Sequence, residues 1–166
     1  MFKKILLAIA VALPMSAMAQ KFGVVDLESV FTSMPETTAM QTQLTETSKK
    51  YEDEFAKLQE EVNKLYTDFQ TIQNDANTPE SIKERRMQEI QDRYAKVQQF
   101  RETAQQDLAK LEQQLSAPIQ QKLTDAIKAV GAEGSFTAIL PKDGVFLYTG
   151  TDVTDVTPLV RTKLGI

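Results

Sequence analysis

Tyr51-Glu-Asp-Glu-Phe55-Ala-Lys-Leu58-Gln-Glu-Glu-Val62-Asn-Lys-Leu65-Tyr-Thr-Asp-Phe69-Gln-Thr-Ile72 places an apolar residue at alternating intervals of four and three. That period averages 3.5 residues, the repeat of a helix whose apolar stripe stays against a partner helix. The partner follows in the same chain. From Met87 through Ile90, Tyr94 and Val97 the same spacing returns, after Asn74-Asp75-Ala76-Asn77-Thr78-Pro79. Read inward from residues 40 and 115, the apolar positions mirror one another about Asn77: Met40 with Leu115, Leu44 with Leu111, Phe55 with Phe100, Leu58 with Val97, Leu65 with Ile90 and Phe69 with Met87. Such a mirror describes two long helices folded back on each other in fixed register. Val62 then meets Tyr94, and Thr78 and Pro79 serve as N-cap and first residue of the return helix. The layer at Leu108, facing Thr47 or Ser48, and the large-to-small pair Tyr51 with Ala104 mark a weak seam near the base. Elsewhere the paired stripe satisfies itself, which leaves any binding to the arm's outer faces.

Working outward, residues 40–116 form this arm, and residues 20–39 with 117–166 form a body. Lys21 to Leu27 reads as a strand with Phe22 and Val24 on one face and Val25 and Leu27 on the other. Glu28 to Met34 reads as a short helix ended by Pro35. Ser116-Ala117-Pro118 interrupts the return helix and is a candidate hinge, after which Ile119, Leu123, Ile127 and Val130 keep one apolar face as far as Gly131, a natural C-cap. Phe136 to Leu140 and Val145 to Tyr148 read as strands joined by Pro141-Lys142-Asp143-Gly144. Thr157-Pro158 opens a last short helix. The fold class is α+β.

A body of this size without disulfides is marginal alone. Its strands are apolar on both faces, and its own helices can cover one. Self-association is the simplest way to cover the other, with Phe22, Val24, Val25, Leu27, Ile139, Val145 and Leu147 as the expected oligomer core.

Residues 1–19 have the build of an export signal: Lys3 and Lys4, an apolar run from Ile5 to Leu13, and Ala17-Met18-Ala19 as cleavage site. The chain carries 19 basic and 23 acidic residues. Loss of the signal removes two lysines. A net acidic chain is a poor general ligand for nucleic acid. The chain has no His and no Cys, so the usual general base, thiolate nucleophile and transition-metal ligands are missing, and no glycine spacing matches a phosphate loop. No cofactor is expected and the chain does not read as an enzyme. The acidic clusters Glu52-Asp53-Glu54 and Glu60-Glu61 alternate with lysines, as on a solvated helix face. Lys83, Arg85 and Arg86, just past the tip, are candidates for contact with an anionic group or lipid headgroup.

The export signal, Phe22-Gly-Val-Val-Asp-Leu-Glu-Ser-Val-Phe31, the long hairpin, and the closing segment Val145-Phe-Leu-Tyr-Thr-Gly-Thr-Asp-Val-Thr-Asp-Val-Thr157 together resemble the Skp (OmpH-type) periplasmic chaperones. The resemblance spans the mature chain, and its specificity lies in the terminal segments. It implies a homotrimer in which three bodies share a small β-barrel and three arms enclose a cavity. It also implies ATP-independent binding of unfolded outer-membrane proteins in the periplasm. Familiar members are basic, whereas this chain has a pI near 5.0, so the family's attraction to acidic clients, lipopolysaccharide or anionic lipid does not carry over. The competing reading is a coiled-coil spacer or envelope-assembly protein with a folded partner.

Overall fold

The computed structural model describes residues 20–143, 148 and 150–166. Its order is β1 (Phe22–Val25), α1 (Leu27–Ser33), α2 (Pro35–Gln73), α3 (Glu80–Glu133), β2 (Ala138–Pro141), β3 (Val153–Asp155) and α4 (Thr157–Leu164). The expected export signal and the strand residues Val145 and Leu147 lie outside the described residues; Tyr148 is exposed.

α1 starts where the Asp26 carboxylate accepts the Ser29 amide at 2.8 Å, an N-cap. It stops at Met34, which the following proline holds extended at φ −70°, ψ 130°. Pro35 then opens α2 without a gap, because a proline at the first helical position loses no hydrogen bond. At 1.5 Å per residue, α2 is about 58 Å long.

The tip is held by Asp75. One of its carboxylate oxygens accepts the Asn77 amide at 3.0 Å and the other accepts the Thr78 hydroxyl at 2.9 Å. Thr78 therefore serves the turn and not the helix, and the N-cap position falls on Pro79, with α3 opening at Glu80. The Asn77 amide, followed by the Thr78 hydroxyl, holds the Asp75 carboxyl below its ordinary range.

α3 corrects two expectations. It runs as one helix through Ser116, Ala117 and Pro118. A proline inside a helix costs about 3 kcal/mol, but the four residues Ile119, Leu123, Ala126 and Val130 are all buried just beyond it. Burial of a Val, Leu or Ile side chain contributes roughly 1.5–3 kcal/mol, so packing of Ile119, Leu123 and Val130 on the body outweighs the local break. The helix also passes Gly131 and ends at Gly134. The Phe136 ring folds back over that end, and a Cβ on Gly134 would stand 2.4 Å from its Cε2, so the glycine is needed three residues later than expected.

The described strands form one parallel sheet in the order β2-β1-β3. Phe22 is level with Ala138 on one side and with Val153 on the other. The whole of α1, α2 and α3 is thus the crossover between two adjacent parallel strands. Nothing in the sequence marks β3 as a strand: Val153-Thr-Asp155 is three residues long and carries no apolar alternation.

The core lies between the sheet, α1, α4 and the body end of α3. Val25, Val30, Met34, Val156 and Val160 are at most 2% exposed and join Ile119, Leu123, Ala126 and Val130. Arg161 ties α4 to α1 through the Ser29 hydroxyl at 2.7 Å and the Ser29 carbonyl at 3.1 Å.

Candidate functional site

The expected oligomer core divides between two faces of the sheet. Val25 is inside the protomer's own core, and Leu27 and Ile139 pack against the same cluster. These three therefore serve the protomer. The reason is register: Gly23 and Val25 share a face with Ile139 by strand alternation, and that face meets the helices. Phe22 and Val24 point the other way. Val24 is 8% exposed and Phe22 37%.

The basic spot at the tip is largely neutralised. Lys83 lies 3.9 Å from Glu80, with its side chain only 18% exposed, and Arg86 meets Glu89 at 2.7 Å. Arg85 is exposed and makes no ion pair among the described residues. The acidic clusters behave as a solvated face: Glu54 pairs with Lys57 at 3.5 Å and Glu61 with Arg93 at 3.4 Å. Among the described residues no group of acidic side chains is arranged to hold a metal ion, and no helix is long and apolar enough to cross a membrane.

The arm's seam is less closed than its pairing implies. Phe69, Val97 and Ala104 are buried, but Phe55, Leu58, Val62, Leu65, Ile90 and Phe100 remain partly exposed, and Tyr94 is 58% exposed. Two helices cover each other along one line only, so the flanks of that line stay open unless other side chains cross them. On one flank they do cross. The Tyr51 hydroxyl donates to Asp107 Oδ2 at 3.0 Å, which raises the Tyr51 pKa, and Glu61 meets Arg93 further out. The Tyr51 ring also stands edge-on to Phe100, with centroids 5.9 Å apart.

Four grooves run along the arm. The largest, about 820 Å³, and the next, about 530 Å³, share Ser48, Glu52, Gln105 and Leu108. They meet at the layer where a polar residue faces Leu108. A groove of about 220 Å³ follows between Val62 and Tyr94, sharing Gln59 with its neighbour, and one of about 420 Å³ lies between Phe69 and Met87 near the tip. A separate groove of about 360 Å³ sits at the base, lined by Met40, Leu115, Pro118 and Ile119. Glu36 and Lys122 also line it and form an ion pair, and the hydrogen bond from Lys122 lowers the Glu36 pKa.

The fold is similar to the crystal structure of an OmpH-like protein from Caulobacter crescentus CB15, described as a candidate outer membrane chaperone. The TM-score is 0.74, at 14% identity, over 87% of this chain and 83% of that one. At that identity the likeness speaks to fold alone. No curated protein matches the chain. The model of the family described as outer membrane protein (OmpH-like) matches residues 21–164, which is nearly everything after the export-like segment. The arm, the small sheet body and this match agree: the chain belongs to the OmpH-like family.

Proposed function

We propose that the protein is an ATP-independent holdase of the periplasm, which binds unfolded outer-membrane proteins between arms of a homotrimer and keeps them from aggregating. The observation that carries this reading is a long hairpin arm with a partly open apolar seam, built on a body too small to enclose a substrate. Grooves of modest depth in series suit many weak contacts, which give avidity while the client stays mobile.

Trimer formation draws its support from the outer face of the sheet. Phe22 lies there on the central strand, 37% exposed, and the described helices pack on the opposite face. Export to the periplasm rests on the residues 1–19 pattern. Swinging of the arm about Ser116–Pro118 rests on the proline, which removes one hydrogen bond from an otherwise continuous helix. Contact of this tip cluster with anionic groups rests mainly on Arg85, since Lys83 and Arg86 are paired with Glu80 and Glu89.

The test is dilution of a urea-denatured outer-membrane β-barrel protein into buffer without nucleotide. Near-stoichiometric trimer should suppress light scattering. A spacer with a folded partner would leave the scattering unchanged, and that outcome rejects the proposal.

A further inference from the structure

We infer that clients dock on one particular long face of the arm, the face that carries its four grooves, and that the opposite face is closed to them. The inference rests on the chaperone reading and specifies its surface.

The grooves are aligned by the helix repeat. On α3 they are lined by Glu84, Gln91, Tyr94, Gln98, Gln105 and Glu112. These positions are separated by threes, fours and sevens, the spacing of a single stripe on a helix. On α2, Ser48, Glu52, Gln59 and Asn63 line the grooves at intervals of four and seven. Tyr66 continues that stripe and is half-exposed. One face of the hairpin therefore carries a trough with a floor of seam residues such as Phe55, Val62, Val97 and Phe100. The Tyr51 ring belongs to the floor of the trough, and its hydroxyl reaches through to Asp107. Asp107, Arg93 and Glu61 line none of the grooves, so this hydrogen bond and the Glu61–Arg93 ion pair bridge the other flank.

The chemistry of the walls selects the occupant. Gln59, Asn63, Gln98 and Gln105 are uncharged amides, each able both to donate and to accept. They can satisfy an unfolded backbone in any register, while the floor takes bulky apolar side chains. In the largest groove three acidic side chains, Glu52, Asp53 and Glu112, share the lining with one basic one, Lys49, so that end of the trough favours a basic over an acidic side chain. The occupant is an extended, unfolded segment with bulky apolar side chains and no excess of acidic ones.

The experiment places a photoreactive benzoylphenylalanine in the full chain at Gln59 or Gln98 on the trough, and at Lys57 or Lys96 on the far face. The probe is a urea-denatured eight-stranded outer-membrane β-barrel protein, diluted into each variant and irradiated. Cross-linking from positions 59 and 98 should exceed that from 57 and 96 by about fivefold, the ratio given by about 1 kcal/mol of preference. Equal or reversed yields, with aggregation still suppressed, overturn the assignment of the face and leave the chaperone reading standing. Unsuppressed aggregation by the unsubstituted protein, with no cross-link anywhere, overturns both. As a second readout, Gln59→Glu with Gln98→Glu should weaken retention of the client, and Lys57→Gln with Lys96→Gln should not.

Discussion

The hydroxyl of Tyr51 on α2 donates to Asp107 of α3 across the arm, at 3.0 Å and 56 residues apart in the chain. The bond raises the Tyr51 pKa above its usual 10.0, chiefly through the hydrogen bond to Asp107. A raised pKa means that the protonated phenol is preferred in the folded arm. The stabilisation is complete below the unfolded value and is lost as pH climbs through the folded one. Ultraviolet titration should show a tyrosine ionising above pH 10.0, and this late transition should vanish in Tyr51→Phe. Tyr51→Ala, which also removes the edge-on contact with Phe100, should lower the melting temperature further than Tyr51→Phe.

Glu36 and Lys122 join α2 to α3 beside Pro118. The hydrogen bond from Lys122 depresses the Glu36 pKa below its ordinary 4.5. The contribution of this pair is present above that value and falls away as pH drops through the folded pKa. Acid should therefore loosen the base of the arm in the parent protein, measured as broader distances between spin labels at the tip and on the body. Glu36→Gln should be broad already at neutral pH, and Pro118→Ala, which restores a backbone hydrogen bond, should be narrower than the parent.

Phe22 and Val25 are three residues apart in one strand and should fail differently. Phe22→Asp changes the outer face, so sedimentation should show a smaller species with helical circular dichroism retained. Val25→Asp buries a charge in the protomer core and should unfold the body itself. If Phe22→Asp sediments as the parent protein does, the outer face is not the interface of the proposed trimer.

Met34 is fully buried among Val30, Val156 and Val160. Met34→Ala should cost about 2–5 kcal/mol of body stability in chemical denaturation.

Gly134 illustrates a packing demand that only a pair of substitutions isolates. Gly134→Ala would press a methyl group into the Phe136 ring and should destabilise the helix end. In the Phe136→Ala background the same change should become nearly neutral or stabilising, since alanine is the better helix former. Additive effects of the two substitutions would show that the ring is not the obstacle.

The arm was legible because a 3.5-residue period sustained over many turns admits few other structures, and the mirrored return fixes the register. Where reading failed, a tertiary contact outweighed a local rule. Pro118 signals a break, but the burial of Ile119 and Leu123 carries the helix through it. Gly131 signals an end, but the Phe136 ring sets that end at Gly134. Val153-Thr-Asp155 signals nothing, because its strand character comes from hydrogen bonding to β1. The open flank of the seam was also hidden. Periodicity identifies which residues meet, but only the reach of Tyr51 to Asp107 and of Arg93 to Glu61 determines which side is bridged.

The sheet has a consequence for how the chain acquires its structure. Lys21 and Gly134, 113 residues apart in the chain, are joined by a hydrogen bond of 3.2 Å, and β1 lies beside β2 only because everything between them doubles back. A flexible loop of that length is entropically costly to close, and pairing so remote in sequence is slow. The hairpin removes most of that distance: once α2 and α3 zip together from the Asp75 turn, the two strands are delivered to each other as if the intervening chain were short. Pulsed hydrogen exchange during refolding should therefore protect amides near the turn before those of Val24 and Val25. The rod proposed to reach for clients in the finished molecule thus serves first as the scaffold on which its own body assembles.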